Sequence, residues 1–370
     1  MIDQMYRDPT PYNSYGENMF SNKTILVTGG TGSLGKVLIR RLLSGEVGTP
    51  KKIIVLSRDE AKQHEMRISY LNSKAPTDEV IYNNFRRILE FRIGDVRDFH
   101  SVSSALQTVD IVFNAAALKQ VPSCEYFPFE AVQTNITGPE NIVRAIRELK
   151  LPVETVVGIS TDKACKPVNV MGMTKAIQER VFITANLDCL NTRFICVRYG
   201  NVLASRGSVI PLFHEQILAG GPVTITTPDM TRFLLSLDQA VDTILTAVKS
   251  AKRGETYIPR LPSAKVTDIA QSLIGNRPVK TIITGIRPGE KVHEILVSEE
   301  EAHRTITRGK YYVIQPILPE LSSGEEKKTP LGHEYSSNDN IMSPEVLLKT
   351  LKKFDLMINE NAVSHGELLR

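Results

Sequence analysis

Four cysteines, Cys124, Cys165, Cys189 and Cys196, are all that 370 residues contain, and no two are spaced Cys-x-x-Cys. Neither a zinc site nor a disulfide framework is therefore indicated, and buried or idle thiols are expected. No metal is predicted. Long apolar runs are also missing: none approaches the roughly 18 residues that a membrane span needs. The first twenty residues, MIDQMYRDPTPYNSYGENMF, contain no apolar core of a signal peptide. A cytoplasmic protein with no membrane partner is the expectation. A formal net charge of +4 is too small and too dispersed to argue for nucleic acid. What remains, 41% hydrophobic and 23% charged residues, is ordinary for a soluble chain large enough for two domains.

Chemistry begins at Lys23, where an apolar strand runs into Thr28-Gly29-Gly30-Thr31-Gly32-Ser33-Leu34-Gly35 and then a segment with apolar residues at helical spacing. Glycines at 29, 32 and 35 in that setting permit a tight turn, close approach of a pyrophosphate and close helix packing. The helix N-terminus then offers unpaired N–H groups to phosphate. A dinucleotide site is expected here. The second strand, Lys52–Leu56, ends in Ser57-Arg58-Asp59. A hydroxyl followed by an arginine suits a ribose 2′-phosphate, so NADP is preferred over NAD; the alternative makes Asp59 the ribose ligand.

Residues 61–87 are polar and read as a loop or irregular insertion. A third strand closes in Gly94-Asp95-Val96, where an adenine could rest on Asp95 and Val96. A fourth, from Ile111, ends in Ala115, Ala116 and Ala117, small enough for the cofactor to pass close to the backbone, and Lys119 follows at the mouth. A helix is predicted from Thr134-Asn135 to about residue 150. Strands alternate with helices up to this point, the pattern of an α/β, Rossmann-type doubly wound parallel sheet.

The stretch from Val156 to Glu179 is the expected centre of chemistry. An apolar strand ends in Ser160-Thr161-Asp162-Lys163, and Met171-Gly-Met-Thr-Lys175 opens a helix. Such strand ends are where α/β folds place ligands. Neighbours in a strand point to opposite faces, so Asp162 and Lys163 can serve one pocket only if the strand stops there, as Pro167 suggests. Beyond it, Arg206, Arg232 and Arg287 are separated basic groups near small or hydroxyl residues, suited to gripping a diphosphate. Ser343-Pro344-Glu345 predicts the start of a closing helix.

The motifs TGGTGSLG, SRDE, GDVRD, AAALK, STDKA, RYGN, SRGSVIP, MTRF and RPGEK, in that order over nearly the whole chain, resemble the extended short-chain dehydrogenase/reductases that act as UDP-N-acetylglucosamine 4,6-dehydratases. The resemblance implies a Rossmann domain with a smaller C-terminal substrate domain, a UDP-sugar substrate and a homo-oligomer. Its products would feed amino-deoxy sugars of surface glycans. Expected boundaries are an N-terminal extension at 1–21, a nucleotide domain at 22–202 plus about 232–256, a substrate domain at about 203–231 and 257–342, and a closing helix and tail at 343–370.

The resemblance also assigns roles. Lys163 is the base at C5, Asp162 the acid for the departing C6 hydroxyl, and Thr161 positions the C4 oxygen. Lys175 holds the nicotinamide ribose. Asn135, Tyr199, Asn201 and Val202 join the cofactor contacts, and Lys119, Asn201, Ser208, Val209, Arg232, Arg287 and Glu290 the substrate contacts. One departure is Met171, which stands where the superfamily has the tyrosine of Tyr-x-x-x-Lys and has no proton to trade. A neutral Lys163 beside a protonated Asp162 is also required, although adjacency favours both charged forms. C5 inversion is favoured over retention. A 4-epimerase or reductase and a non-catalytic NADP-binding protein are the other readings.

Overall fold

The computed structural model describes residues 18–72, 79–203, 208–321 and 330–358. The first half alternates strand and helix. β1 (Thr24–Thr28) leads to α1 (Ser33–Leu43), β2 (Lys52–Ser57) to α2 (Glu60–Leu71) and α3 (Glu79–Ile88), and β3 (Leu89–Ile93) to α4 (Phe99–Leu106). β4 (Ile111–Asn114) precedes α5 (Val121–Tyr126), α6 (Pro128–Val132), a π-helical turn at Gln133–Thr137 and α7 (Gly138–Leu149); β5 (Thr155–Ile159) precedes α8 (Val170–Asp188). β6 (Arg193–Val197) is followed by α9 (Val209–Leu218), β7 (Val223–Ile225), β8 (Thr231–Phe233), α10 (Leu237–Ser250) and β9 (Thr256–Pro259). The chain ends with β10 (Ser263–Lys265), α11 (Val266–Ile274), β11 (Thr281–Ile283), β12 (Ile295–Val297), α12 (Glu299–Ala302), β13 (Thr305–Arg308), β14 (Tyr311–Ile314), β15 (Tyr335–Ser336) and α13 (Pro344–Lys353).

Nine strands form one sheet in the order β13-β14-β9-β6-β5-β4-β1-β2-β3. Seven run parallel, and β14 and β13 close one edge antiparallel. Strands β1, β4, β5 and β6 are buried along nearly their whole length because helices cover both faces. The strand order reverses between β1 and β4, which opens a crevice at their carboxyl ends. A separate apolar cluster joins Phe213, Ile217, Val223, Ile225, Ile269, Leu273, Leu347 and Leu351, so α9, β7, α11 and α13 pack as a smaller lobe. Ser343 caps α13 through the Val346 N–H at 3.4 Å.

Two expectations are corrected. Residues 61–87 are largely helical: Asp59 caps α2 by accepting from the Lys62 N–H at 2.9 Å, and Phe85 and Ile88 on α3 reach the core. Tyr70 and Phe85 stack at 5.2 Å, so a few apolar residues at helical spacing outweigh the polar composition. Residues 73–78 of that stretch lie outside the described residues, as do residues 1–17, Arg206 and residues 359–370. Second, the segment 257–342, expected to be wholly substrate domain, divides. The end of β9 with β13 and β14 completes the large sheet, while β10, α11 and β11 sit with the smaller lobe.

Candidate active site

A cleft of about 520 Å³ lies between the strand ends of the sheet and the smaller lobe. Ser33, Leu34, Ala115, Lys119, Thr161, Lys163, Met171, Lys175, Tyr199, Asn201, Val202, Ser208, Val209, Arg232, Arg287, Glu290 and Glu294 line it. The fold thus gathers most of the predicted residues from both lobes.

On the nucleotide side, Gly29 has φ +65°, and a Cβ there would stand 2.8 Å from Ala116. Only glycine permits β1 to turn this tightly against the end of β4. Gly32 precedes α1 without a side-chain cap, which leaves the first-turn N–H groups available to a phosphate. Gly35 lies against Gly30. These features fit a dinucleotide. Thr28 is different from expectation: it is fully buried, donates to Asn114 Oδ1 at 2.8 Å and accepts from the Ala116 N–H at 3.2 Å. It braces the crevice from beneath. Thr31 and Ser57 hydroxyls pair at 3.1 Å.

Arg58 is half exposed and stands 3.6 Å from Asp95 Oδ2. The alternative ribose ligand Asp59 is occupied as the cap of α2. Asp95 accepts from the Arg97 N–H and Nε, both at 2.9 Å, and buried Val96 packs under Gly138. Asn135, expected to touch the cofactor, spends its side chain inside the protein. Its Oδ1 accepts from the Leu118 N–H at 2.8 Å, and its Nδ2 donates to Leu118 O at 2.9 Å and Thr174 Oγ1 at 3.0 Å. It locks the Leu118 loop to α8. That role was hidden from sequence because the π-helical turn reorients the residue.

The central strand β5 ends at Ile159, and Asp162–Ala164 form a 3₁₀ turn in which the Thr161 hydroxyl accepts from the Lys163 N–H at 3.4 Å. The doublet therefore escapes strand alternation, but its members take different places. Lys163 lines the cleft, whereas Asp162 is fully buried behind it and does not. Asp162 Oδ1 accepts from Lys163 Nζ at 3.0 Å and from Thr161 Oγ1 at 2.9 Å. Its Oδ2 has no partner among the described residues. Burial pushes the Asp162 carboxyl up, and this outweighs the pull of Lys163. Burial also works against a charged Lys163, but Asp162 and Glu294 overcome it and hold the ammonium above the ordinary lysine range. In this arrangement Lys163 is a cation, contrary to the expected resting base, because two carboxylates share it.

Gly172 lets α8 approach this turn: a Cβ there would meet Lys163 O at 2.1 Å. Met171 is buried with Cys124 and Ala131, an apolar residue among apolar neighbours. Lys175 is also buried; its Nζ donates to Ile159 O at 2.5 Å and Gln178 Oε1 at 2.7 Å, and desolvation lowers it to about 8. All four cysteines are buried and free.

From the smaller lobe, Arg232 donates to Thr231 O at 2.7 Å and Val292 O at 3.1 Å, with its Nε 3.7 Å from Glu294. Arg287 is more than half exposed and 4.0 Å from Glu290, whose other oxygen accepts from Thr226 at 3.5 Å. Asn201 Oδ1 accepts from Lys163 Nζ at 3.2 Å, Val202 bridges to Leu235, and the Ser208 hydroxyl is buried without a partner among the described residues. Sequence reasoning missed Glu294. It lies three residues past the RPGEK motif already counted for Glu290, and only folding brings it to 3.5 Å from Lys163.

Among the described residues no helix is long and apolar enough to cross a membrane and no acidic, His and Cys group could hold a metal. The chain is similar to a UDP-glucose 4-epimerase of Rickettsia canadensis, 42% identical over 347 residues, or 90% of this chain and 97% of that protein. It is also similar to an uncharacterized membrane protein of Methanocaldococcus jannaschii, 44% identical over 310 residues, 81% of this chain and 87% of that one. Among solved structures, Pen from Bacillus thuringiensis superposes with a TM-score of 0.80 at 33% identity, covering 91% of this chain and 99% of its own. The profile of polysaccharide biosynthesis proteins matches residues 25–316, and with the glycine turn, the strand order and these relatives it establishes that the chain belongs to that family of extended short-chain dehydrogenase/reductases.

Proposed function

We propose that the protein is an NADP-dependent UDP-N-acetylglucosamine 4,6-dehydratase that inverts C5. The observation that carries this reading is the Thr161-Asp162-Lys163 turn, an amine at the cleft wall backed by a buried carboxyl that favours its proton. Bound NADP⁺ would supply a hydride acceptor for C4 and return that hydride to C6. The chain's own residues supply the proton chemistry. Lys163 and Asp162 stand 3.0 Å apart, so one proton passing from ammonium to carboxylate creates a neutral amine and a protonated acid together. Net charge in the cleft does not change. This removes the conflict noted from adjacency, since the pair can hold either charge state at the same total.

Oxidation at C4 releases the hydroxyl proton to water in the open cleft, and the amine then takes the C5 proton, acidified by the ketone. Water delivers a proton to the opposite face of C5 once C6 is reduced, so the pair ends in the charge state in which it began. Asp162 is not at the cleft surface, but the Thr161 hydroxyl is, and it contacts Asp162 Oδ1. A proton for the departing C6 hydroxyl travels from Asp162 through Thr161. Arg232 and Arg287 hold the diphosphate, and Lys175, with a lowered affinity for its proton and its amine already oriented by Ile159 O, meets the nicotinamide ribose.

The Rickettsia relative bears the name of a 4-epimerase, and that reaction needs a proton shuttle at C4 alone. Met171 cannot provide one, and a lysine–carboxyl pair exceeds the need. Incubation with UDP-N-acetylglucosamine decides between them. A product lighter by one water, with deuterium at C5 when made in D₂O and the configuration there inverted by NMR, is the expected result. A product of equal mass would establish epimerisation, and no product with cofactor bound would remove both.

The exposed Arg58 at the end of β2 is proposed to hold the 2′-phosphate. Arg58→Ala is expected to weaken NADP⁺ by about tenfold, the worth of one charge-assisted hydrogen bond. NAD⁺ affinity should not change. Equal losses for both cofactors in calorimetric titration would move phosphate recognition elsewhere.

A further inference from the structure

One carboxylate in the cleft wall has no part in the proton path above. Glu294 is buried, with Oε1 3.5 Å from Lys163 Nζ and 3.7 Å from Arg232 Nε, and with Oε2 lacking a partner among the described residues. The backbone that carries it is anchored. Its backbone N–H donates to Ser337 Oγ at 3.0 Å, Ser337 Oγ pairs with Thr231 Oγ1 at 2.6 Å, and Thr231 Oγ1 with His293 Nδ1 at 2.8 Å. Three chain segments thus fix the backbone from which this carboxylate extends.

Lys163 has three N–H donors and meets three acceptors: Asp162 Oδ1 at 3.0 Å, Asn201 Oδ1 at 3.2 Å and Glu294 Oε1 at 3.5 Å. We infer that Glu294 is a positioning residue for Lys163, the third leg of a tripod that aims the ammonium into the cleft and sets the pH at which the amine is freed to take a proton. The charged groups around Lys163 come from every side. Asp162 lies on its own turn, Arg232 on β8, and Lys291 and Glu294 on the loop before β12. His293 is turned to Thr231, Lys291 to Cys165 O at 2.5 Å, and Lys175 on α8 to Ile159 O. Asp162 and Glu294 are the acids among them, and Glu294 stays ionised: burial opposes its charge, but Lys163, Arg232 and Lys291 together prevail. Removing one of two anions that share a cation lowers that cation's hold on its proton.

The catalytic consequence rests on the dehydratase reading; the titration does not. Lys163 in the full-length protein is acylated with acetic anhydride over a pH series, and its modification is quantified by mass spectrometry. In Glu294→Gln the midpoint of Lys163 reactivity is expected about one pH unit or more below wild type. The rising limb of kcat/KM with UDP-N-acetylglucosamine should move by the same amount, which a purely packing role would not cause. Glu294→Asp keeps the charge one methylene further away, and a smaller downward move is expected. An unchanged midpoint in a folded Glu294→Gln protein overturns the inference. If that variant does not fold, an unchanged midpoint in Glu294→Asp does so instead. A wild type that produces only the epimer removes the dehydratase reading, while the labelling midpoints still decide the role of Glu294.

Discussion

Lys163→Ala is expected to lower the rate of water loss from UDP-N-acetylglucosamine by about 10²- to 10⁴-fold, the usual contribution of a positioned acid or base. Binding of NADP⁺ and of UDP should change by no more than a few fold. The separation follows from geometry: Lys163 Nζ contacts Asp162, Asn201 and Glu294 at the cleft wall, whereas the glycine turn at Gly29–Gly35 and the ends of β2 and β3 lie on other elements. Loss of the amine also leaves Asp162 and Glu294 without the cation they share. Asp162, already pushed up by burial, is then driven further towards its protonated form, so no compensating base appears. Turnover followed by mass spectrometry, with calorimetric titration of NADP⁺ and UDP, checks both halves. Undiminished turnover would remove Lys163 from the mechanism, and a parallel loss of cofactor binding would make its role structural.

Arg198→Ala carries the largest expected effect on stability. Arg198 is buried between two carboxylates: its Nε and NH2 donate to Glu179 at 3.0 and 2.6 Å, and its NH1 and NH2 to Glu301 at 2.7 and 3.0 Å. Its NH1 also reaches Leu296 O at 2.8 Å, and Glu179 accepts from Ser160 Oγ at 2.5 Å. The guanidinium thereby ties the end of β6, α8, β12 and α12 together next to Ser160, which leads into the Asp162–Ala164 turn. Removing it leaves buried Glu179 without its ion-pair partner and Glu301 with only Arg304 at 3.6 Å, at a cost of about 3–5 kcal/mol.

Acid titration gives a second signature. Burial opposes ionisation of Glu301, but Arg198 brings it down to about 2 from an ordinary 4.5. A depressed carboxylate stabilises the fold above its unfolded value, and that stabilisation is lost as pH falls through the folded one. Wild type should therefore lose this contribution progressively between about pH 5 and 2. In Arg198→Ala that loss should shrink, since Glu301 then has Arg304 at 3.6 Å and the Ser298 N–H at 3.3 Å, but no longer Arg198, to hold its charge. Urea denaturation midpoints across that range measure both effects; a destabilisation under about 1 kcal/mol would make the triad dispensable.

The nucleotide half was legible because its signals are local. Apolar strands, glycines at 29, 32 and 35, and alternation with helices each depend on a few adjacent residues, and the doubly wound parallel architecture follows from them. The strand end at Ser160 was legible for the same reason. What local pattern could not show was depth. Asp162 and Lys163 are neighbours in the chain, yet one lies sealed beneath the turn and the other lines the cleft, because a 3₁₀ turn follows β5. Likewise the polar run at 61–87 conceals helices held by Phe85 and Ile88, which only the core rewards.

By itself the sequence determined a doubly wound nucleotide fold, a glycine turn after the first strand, and an Asp-Lys pair at a strand end with a methionine where a phenol would shuttle protons. Tertiary structure alone decided that Glu294, 131 residues beyond Lys163 by their numbers, shares its ammonium, and that Asn135 and Thr28 face inward. The physical reason is range. Periodicity and turn chemistry act over a few residues, whereas charge pairing and burial depend on which segments the closed fold brings within a few ångströms.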